Sequence, residues 1–122
     1  MDRPLGTLGA LLGGLAVAAG AFGAHGLRGR LRSELLSAFE TGARYQMYHA
    51  LALLAVALLL SHRESGAIRG AGWCFAGGTL VFSGSLYLLA LTGSTWWGAV
   101  TPLGGVALVV GWGMLAWGLW RR

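Results

Sequence analysis

The chain has 122 residues, enough for one domain, and 56% of them are apolar while only 11% are charged. Soluble domains carry about 25% charged residues, so the composition excludes an ordinary water-facing surface and favours a lipid environment. The net charge of +5 comes from arginine alone. These arginines stand at the ends of apolar segments, as membrane anchors do, and no basic face typical of nucleic-acid binding accompanies them.

The first predicted membrane span covers residues 5–24, which are apolar or small apart from Thr7. Twenty helical residues extend about 30 Å, the thickness of one hydrocarbon layer. Gly9 and Gly13 are four residues apart, a spacing that favours close helix packing. A cleaved signal peptide is the alternative, because residues 19–21 resemble a cleavage site, but the apolar run is longer than an ordinary signal segment.

The longest polar connection, residues 26–43, contains an apolar stripe among its arginines and glutamates. Leu31 and Leu35 belong to this stripe, and Ser33 can cap the start of a helix. The pattern predicts a short amphipathic helix over residues 33–42 that lies on the membrane surface. A solvated loop helix packed on the bundle is the alternative.

The second predicted span, residues 45–61, is near the lower limit of length for crossing a membrane. A polar turn follows, and the third span covers residues 70–91. The fourth covers residues 99–120 and has tryptophans at both ends, where indole rings favour the interfaces. We therefore predict an all-α membrane protein, with residues 1–122 forming a single four-transmembrane-helix bundle and a short amphipathic surface helix between helices 1 and 2.

Four spans place both termini on the same side of the membrane. Arginines are almost equally numerous on the two sides, so the positive-inside rule decides little. We expect a bacterial inner (plasma) membrane protein with both termini in the cytoplasm.

Polar side chains gather toward the side of the bundle opposite the termini. Polar groups are costly in lipid and tend to pair or to face inward, so this topology predicts a shallow polar cluster that opens on that side. Its predicted members are His25, Arg44, Tyr45, Gln46, His49, Ser83, Ser85, Tyr87 and Thr101.

The cluster has two interpretations. In the structural one, its members join helices by hydrogen bonds worth about 0.6 kcal/mol on average. In the functional one, it binds a small polar solute, a lipid headgroup or a proton, with His25 and His49 as titratable groups. A metal site is disfavoured because zinc needs a third protein ligand, and we predict no cofactor. Cys74 lies in an apolar run, as an inert buried thiol does.

Four motifs in order along the chain resemble those of a known family. They read Ala21-Phe22-Gly23-Ala24-His25, Thr41-Gly42 with Arg44-Tyr45-Gln46 and His49, Phe82-Ser83-Gly84-Ser85-Leu86-Tyr87, and Thr101-Pro102-Leu103-Gly104-Gly105. Together they are similar to those of the transmembrane-protein-256-like group. These are small four-span proteins of bacterial inner membranes and mitochondria, and they are classified as a domain of unknown function. The resemblance implies four membrane helices and a bacterial inner membrane, and it implies no activity.

The leading functional hypothesis is a non-enzymatic structural or accessory membrane component. Its glycine-rich helix faces favour self-association into a homo-oligomer or packing on a larger membrane complex, within the lipid bilayer and without nucleic acid. The alternative is a binding or transport module built on the polar cluster. An enzyme that acts on lipid is a third hypothesis, which rests only on the buried hydroxyl groups.

Overall fold

The computed structural model describes residues 2–121, which contain four long helices. Helix α1 is Arg3–Phe22 and continues into a π-helical turn, Gly23–Leu27. The other three helices are α2 (Ser33–His62), α3 (Gly66–Thr92) and α4 (Trp96–Trp120). Each of the four helices is long and apolar enough to cross a membrane, which confirms the predicted all-α fold with four candidate membrane helices.

The helix ends follow ordinary capping chemistry. The carboxylate of Asp2 accepts a hydrogen bond from the backbone N–H of Leu5 at 3.0 Å, and the hydroxyl of Ser65 accepts one from Ile68 at 3.2 Å. Gly93 ends α3 with φ +71°, a conformation that glycine adopts without a steric cost. Only three residues separate α2 from α3 and α3 from α4, so consecutive helices run antiparallel.

The predicted surface helix is not confirmed, because residues 33–42 form the first part of α2. On their apolar side, Phe39 is buried by protein, and Leu35 and Leu36 are partly buried. The ring of Phe39 lies 4.9 Å from that of Tyr87 and 6.1 Å from that of Phe22. The segment therefore packs on α3 and on the end of α1, and the helix continues without a break into the segment that begins at Tyr45.

Helices α2 and α3 form the central pair of the bundle. Helix α1 packs mainly on α2, and α4 packs on α3. Within residues 2–121, α1 and α4 make no contact with each other. The largest fully buried side chains of the apolar core come from α1, α2 and α3: Leu5, Leu53, Val56, Ile68 and Phe75.

Charged side chains and tryptophans mark the ends of the bundle. Near the termini, Arg69 forms ion pairs with Asp2 and Glu64, and the guanidinium of Arg63 donates to the backbone carbonyls of Gly118 and Arg121. Tryptophans stand at both ends of α4. Because indole rings favour the membrane interfaces, these rings predict that the bilayer centre lies close to the middle of the bundle. They are Trp96 and Trp97 at one end and Trp117 and Trp120 at the other.

Glycines allow α4 to approach α3 closely. A Cβ atom added to Gly104 would lie 2.7 Å from the Cα of Phe82, and one added to Gly118 would lie 3.2 Å from the backbone nitrogen of Ile68. Gly113, on the same helix, has no atom within 4 Å of an added Cβ. The close approach of the two backbones therefore depends on particular glycines, as small-residue packing in membranes requires.

We expect Gly104→Ala to destabilise the bundle by about 1–3 kcal/mol, because the added methyl group meets backbone that cannot move aside cheaply. Gly113→Ala is the matched control, and we expect it to be neutral or slightly stabilising because alanine favours helix more than glycine does. Unfolding by denaturing detergent, followed by circular dichroism in micelles, measures both. Equal stability of the two variants would show that α3 and α4 do not pack in this way.

Candidate functional site

Gln46 and His49, the buried polar residues of α2, lie near the middle of the bundle. Thr79 is the central residue of α3. A Cβ added to Gly42 would lie 3.3 Å from the backbone oxygen of Ser83, which is one turn beyond Thr79. Because the helices are antiparallel, Gln46, one turn after Gly42, is level with Thr79. Gln46 therefore lies near the middle of the bundle, whereas Ser85 and Tyr87 lie about two turns nearer the end opposite the termini. The opening of the cluster on that side stays a prediction.

Gln46 joins three helices. Its side chain is only 5% exposed. The amide Nε2 donates to the backbone oxygen of Leu12 in α1 at 2.8 Å, and Oε1 accepts from the hydroxyl of Tyr87 in α3 at 2.6 Å. Both ends of this amide therefore have partners, as a buried amide in lipid requires.

His49 joins α2 to α4. Its ring is 4% exposed, with Nδ1 2.7 Å from the backbone oxygen of Tyr45 and Nε2 3.0 Å from the indole nitrogen of Trp112. A carbonyl only accepts and an indole N–H only donates, so Nδ1 carries the proton and Nε2 accepts. Both ring nitrogens are occupied, which leaves none free to bind a metal or to take up a proton without breaking a contact.

Three hydroxyl groups make the remaining contacts between helices. Ser83 donates to the backbone oxygen of Gly42 at 2.7 Å and joins α3 to α2. Ser85 and Thr101 lie 2.5 Å apart and join α3 to α4. Because each hydroxyl has a single proton, one of these two donates to the other, and the hydroxyl of Thr101 also lies 3.2 Å from the carbonyl of Trp97. These groups satisfy one another and the backbone, so their arrangement fits a structural role.

Two of the predicted cluster residues, His25 and Arg44, lie outside this network, and Tyr45 lies at its edge. His25 is exposed in the π-helical turn, level with Phe39, which contacts Gly23. Phe39 is ten residues before His49, about 15 Å along the helix, so the two histidines share no site. Arg44 is also exposed, because the inward-facing Gln46 is two residues away on the helix. Tyr45 is exposed as well, but its ring lies 6.4 Å from that of His49 and 5.1 Å from that of Phe82, at the edge of the cluster.

Sequence reasoning missed two partners in this network. One is the backbone oxygen of Leu12, since any residue type supplies a carbonyl. The other is Trp112, which lies inside an apolar span. The indole N–H of Trp112 could have indicated this contact, because a hydrogen-bond donor at that depth needs an acceptor.

A groove of about 540 Å³ opens between α1 and α3, with α2 as its floor. Its walls are mostly apolar, and Leu15, Phe22 and Leu80 are among them. Within residues 2–121 the hydroxyl of Thr79, which is buried at the groove, has no hydrogen-bond partner. Gln46, Ser83 and Tyr87 line the same groove, so its polar edge coincides with part of the cluster.

No three histidine, cysteine, aspartate or glutamate side chains of residues 2–121 converge as a metal site needs. The geometry of the cluster does supply cross-links between helices. Gln46 and His49 together reach all three other helices, and the serines add two further contacts.

Residues 19–105 match the family model described as "Protein of unknown function (DUF423)". The chain belongs to the DUF423 family. Its sequence is 48% identical over 109 residues to the UPF0382 membrane protein YwdK of Bacillus subtilis, covering 88% of this chain and 89% of that protein. It is 48% identical over 114 residues to the UPF0382 membrane protein SSP2132 of Staphylococcus saprophyticus, covering 93% and 94%. No solved structure matches the chain.

The relatives are named as membrane proteins, in agreement with the four candidate spans of this DUF423 member. The protein is therefore a membrane protein. The matched segment contains all nine residues of the predicted cluster, from His25 to Thr101.

We expect Thr79→Val to stabilise the protein by about 1 kcal/mol, because a buried hydroxyl without a partner is costly and valine has nearly the same shape. Thr101→Val is the control, and it should destabilise by about 0.5–1.5 kcal/mol because it removes the bond to Ser85. Unfolding in delipidated micelles gives both values. A loss of stability in Thr79→Val would show that its hydroxyl has a partner.

Proposed function

We propose that this protein is a non-enzymatic structural or accessory component of the bacterial inner membrane that acts by associating with other membrane helices. The observation that carries this proposal is the pairing inside the bundle. Gln46, His49, Ser83 and Tyr87 all bond to other parts of the chain. A paired interior offers little to a substrate, whereas the outer faces of α1 and α4 are broadly exposed.

The same proposal includes one integral membrane domain with both termini in the cytoplasm. Arg63, Arg69 and Arg121 near the termini support this orientation, since cytoplasmic ends carry excess arginine. The arginine-rich connection between α1 and α2 opposes it, but its position next to α2 allows it to remain at the lipid surface. We further propose that the likeness to the transmembrane-protein-256-like group reflects a shared architecture, because its motifs supply the contacts of Gln46, Ser83 and Thr101.

Photo-crosslinking in native membranes tests the association. The chain has no lysine, so a photoreactive amino acid is better suited than amine reagents. We place it at Val17 on α1 and at Val109 on α4, which are 62% and 72% exposed. We expect discrete protein crosslinks, identified by mass spectrometry, from at least one position. Crosslinks to lipid alone at both positions would contradict the proposal.

A second candidate function is binding of a membrane lipid in the groove between α1 and α3. The unpartnered hydroxyl of Thr79 favours this candidate, because an acyl chain that carries a polar group would fill the apolar walls and pair with it. In this candidate function, the cluster residues Gln46, Ser83 and Tyr87 take part in binding because they line the groove.

Gly84→Leu tests the groove. Gly84 lines it and has no atom within 4 Å of an added Cβ, so leucine there should block the groove without disturbing the fold. Gly77→Leu, on the same helix and equally open, lies outside the groove and is the control. Native mass spectrometry after gentle extraction should show about tenfold less retained phospholipid in the Gly84 variant only, a difference of about 1.4 kcal/mol in binding. Equal retention would exclude the groove as a lipid site.

A further inference from the structure

Two opposite charges lie on an exposed side of α2 within the depth of the membrane. Arg44 is two residues before Gln46 and Glu40 is six residues before it, about 3 Å and 9 Å from the middle of the bundle along the helix. Both distances are smaller than the half-thickness of the hydrocarbon layer, about 15 Å. Both side chains are exposed. Charged groups at this depth ordinarily face protein, water or an opposite charge.

Within residues 2–121 neither charge has a charged partner. The ion pairs of that part of the chain join Arg69 to Asp2 and to Glu64. The guanidinium of Arg44 donates only to the hydroxyl of Thr41, at 3.3 Å. Rotation of the two side chains could pair Glu40 with Arg44 along the same helix, but that pair would still face lipid.

The charges stand at a cleft between α1 and α2. The cleft has a volume of about 420 Å³, and apart from the two charges and Met47 its lining is small: Ala16, Gly20 and Ala43. An added Cβ at Gly20 would have no atom within 4 Å. Small side chains at a cleft allow another helix to approach the backbone closely, so this surface combines room for a helix with charges that need partners.

We propose that a second copy of this chain docks on this surface, with the α2 helices of the two copies parallel around a two-fold axis normal to the membrane. This rests on the proposed function and names its partner. Helical side chains slant toward the N-terminus of their helix in both copies, and the arginine side chain is longer than that of glutamate, so the guanidinium of Arg44 extends further in that direction and approaches the carboxylate of Glu40. The two residues are four positions apart, about 6 Å along the helix. Each Arg44 then meets Glu40 of the other copy, and both pairs form at once because a two-fold contact is reciprocal.

Charge reversal tests the pairing in vesicles of phosphatidylethanolamine and phosphatidylglycerol. Energy transfer between donor-tagged and acceptor-tagged copies, measured over a range of protein-to-lipid ratios, reports dimerisation. Glu40→Arg places four positive charges at the contact and Arg44→Glu places four negative ones. We expect each variant alone to dimerise at least about tenfold more weakly than the unchanged chain, because like charges repel at the contact.

The decisive sample mixes the two single variants. A chain with Glu40→Arg and a chain with Arg44→Glu have opposite charges at every position of the contact, so we expect energy transfer between them to return. Neither chain can form the pair within its own helix, so this recovery reports contact between copies. The unfolding midpoint of each variant in micelles should be only slightly below that of the unchanged chain, because both side chains are exposed and like charges four residues apart on a helix repel weakly.

A steric pair of variants gives an independent measure of the surface. Gly20→Leu should weaken dimerisation by filling the cleft, whereas Gly113→Leu, on the open face of α4, should not. Dimerisation that is unaffected by charge reversal and by Gly20→Leu would overturn this surface and leave association through another face intact. A purified chain that stays monomeric at every ratio would overturn self-association, and crosslinks to other proteins in native membranes would then still support the proposed function.

Discussion

The fold depends on one constraint: polar side chains of α2 lie at the depth of the hydrocarbon layer, where water cannot satisfy them. Gln46 and His49 lie on adjacent turns of the same helix, and together their side chains form hydrogen bonds to all three other helices. Each bond is worth only about 0.6 kcal/mol on average. An unmade bond costs more than a made one contributes, so the network acts mainly by penalising other arrangements of the helices.

Close backbone approach makes these short bonds possible. The hydroxyl of Ser83 reaches the carbonyl of Gly42 because that residue has no side chain between the two helices, and Gly9 allows α1 to lie against the backbone oxygen of Ala50. Apolar packing between membrane helices has no hydrophobic driving force comparable to that in water. The glycines and the buried polar groups therefore act together. The glycines let the helix backbones approach closely, and the polar groups make one helix register more stable than neighbouring registers.

The sequence predicts the four helices well because each contains an apolar run of membrane length. It predicts α2 poorly at its start, since Glu40 and Arg44 interrupt the run although the helix continues through them. It also groups His25 with His49, because topology tells which end of each helix is near a given surface but not how far along the helices meet. Depth and register depend on side-chain fit between helices. The contact between Trp112 and His49 is a product of that fit, and neither residue alone indicates it.

The buried side chains of Gln46 and His49 have hydrogen-bond partners within the chain, whereas the exposed charges of α2 have no charged partner within the described residues. A charged arginine at the centre of a membrane helix costs about 2.5–3.5 kcal/mol on insertion scales, as much as several of the interior hydrogen bonds contribute together. Part of that cost falls when the side chain reaches toward the interface, but Arg44 begins close to the middle of the bundle. The interior network satisfies Gln46 and His49 without help from any other molecule. The charged side of α2 gains nothing from that network, so Glu40 and Arg44 need water, lipid headgroups or another protein to satisfy their charges at this depth.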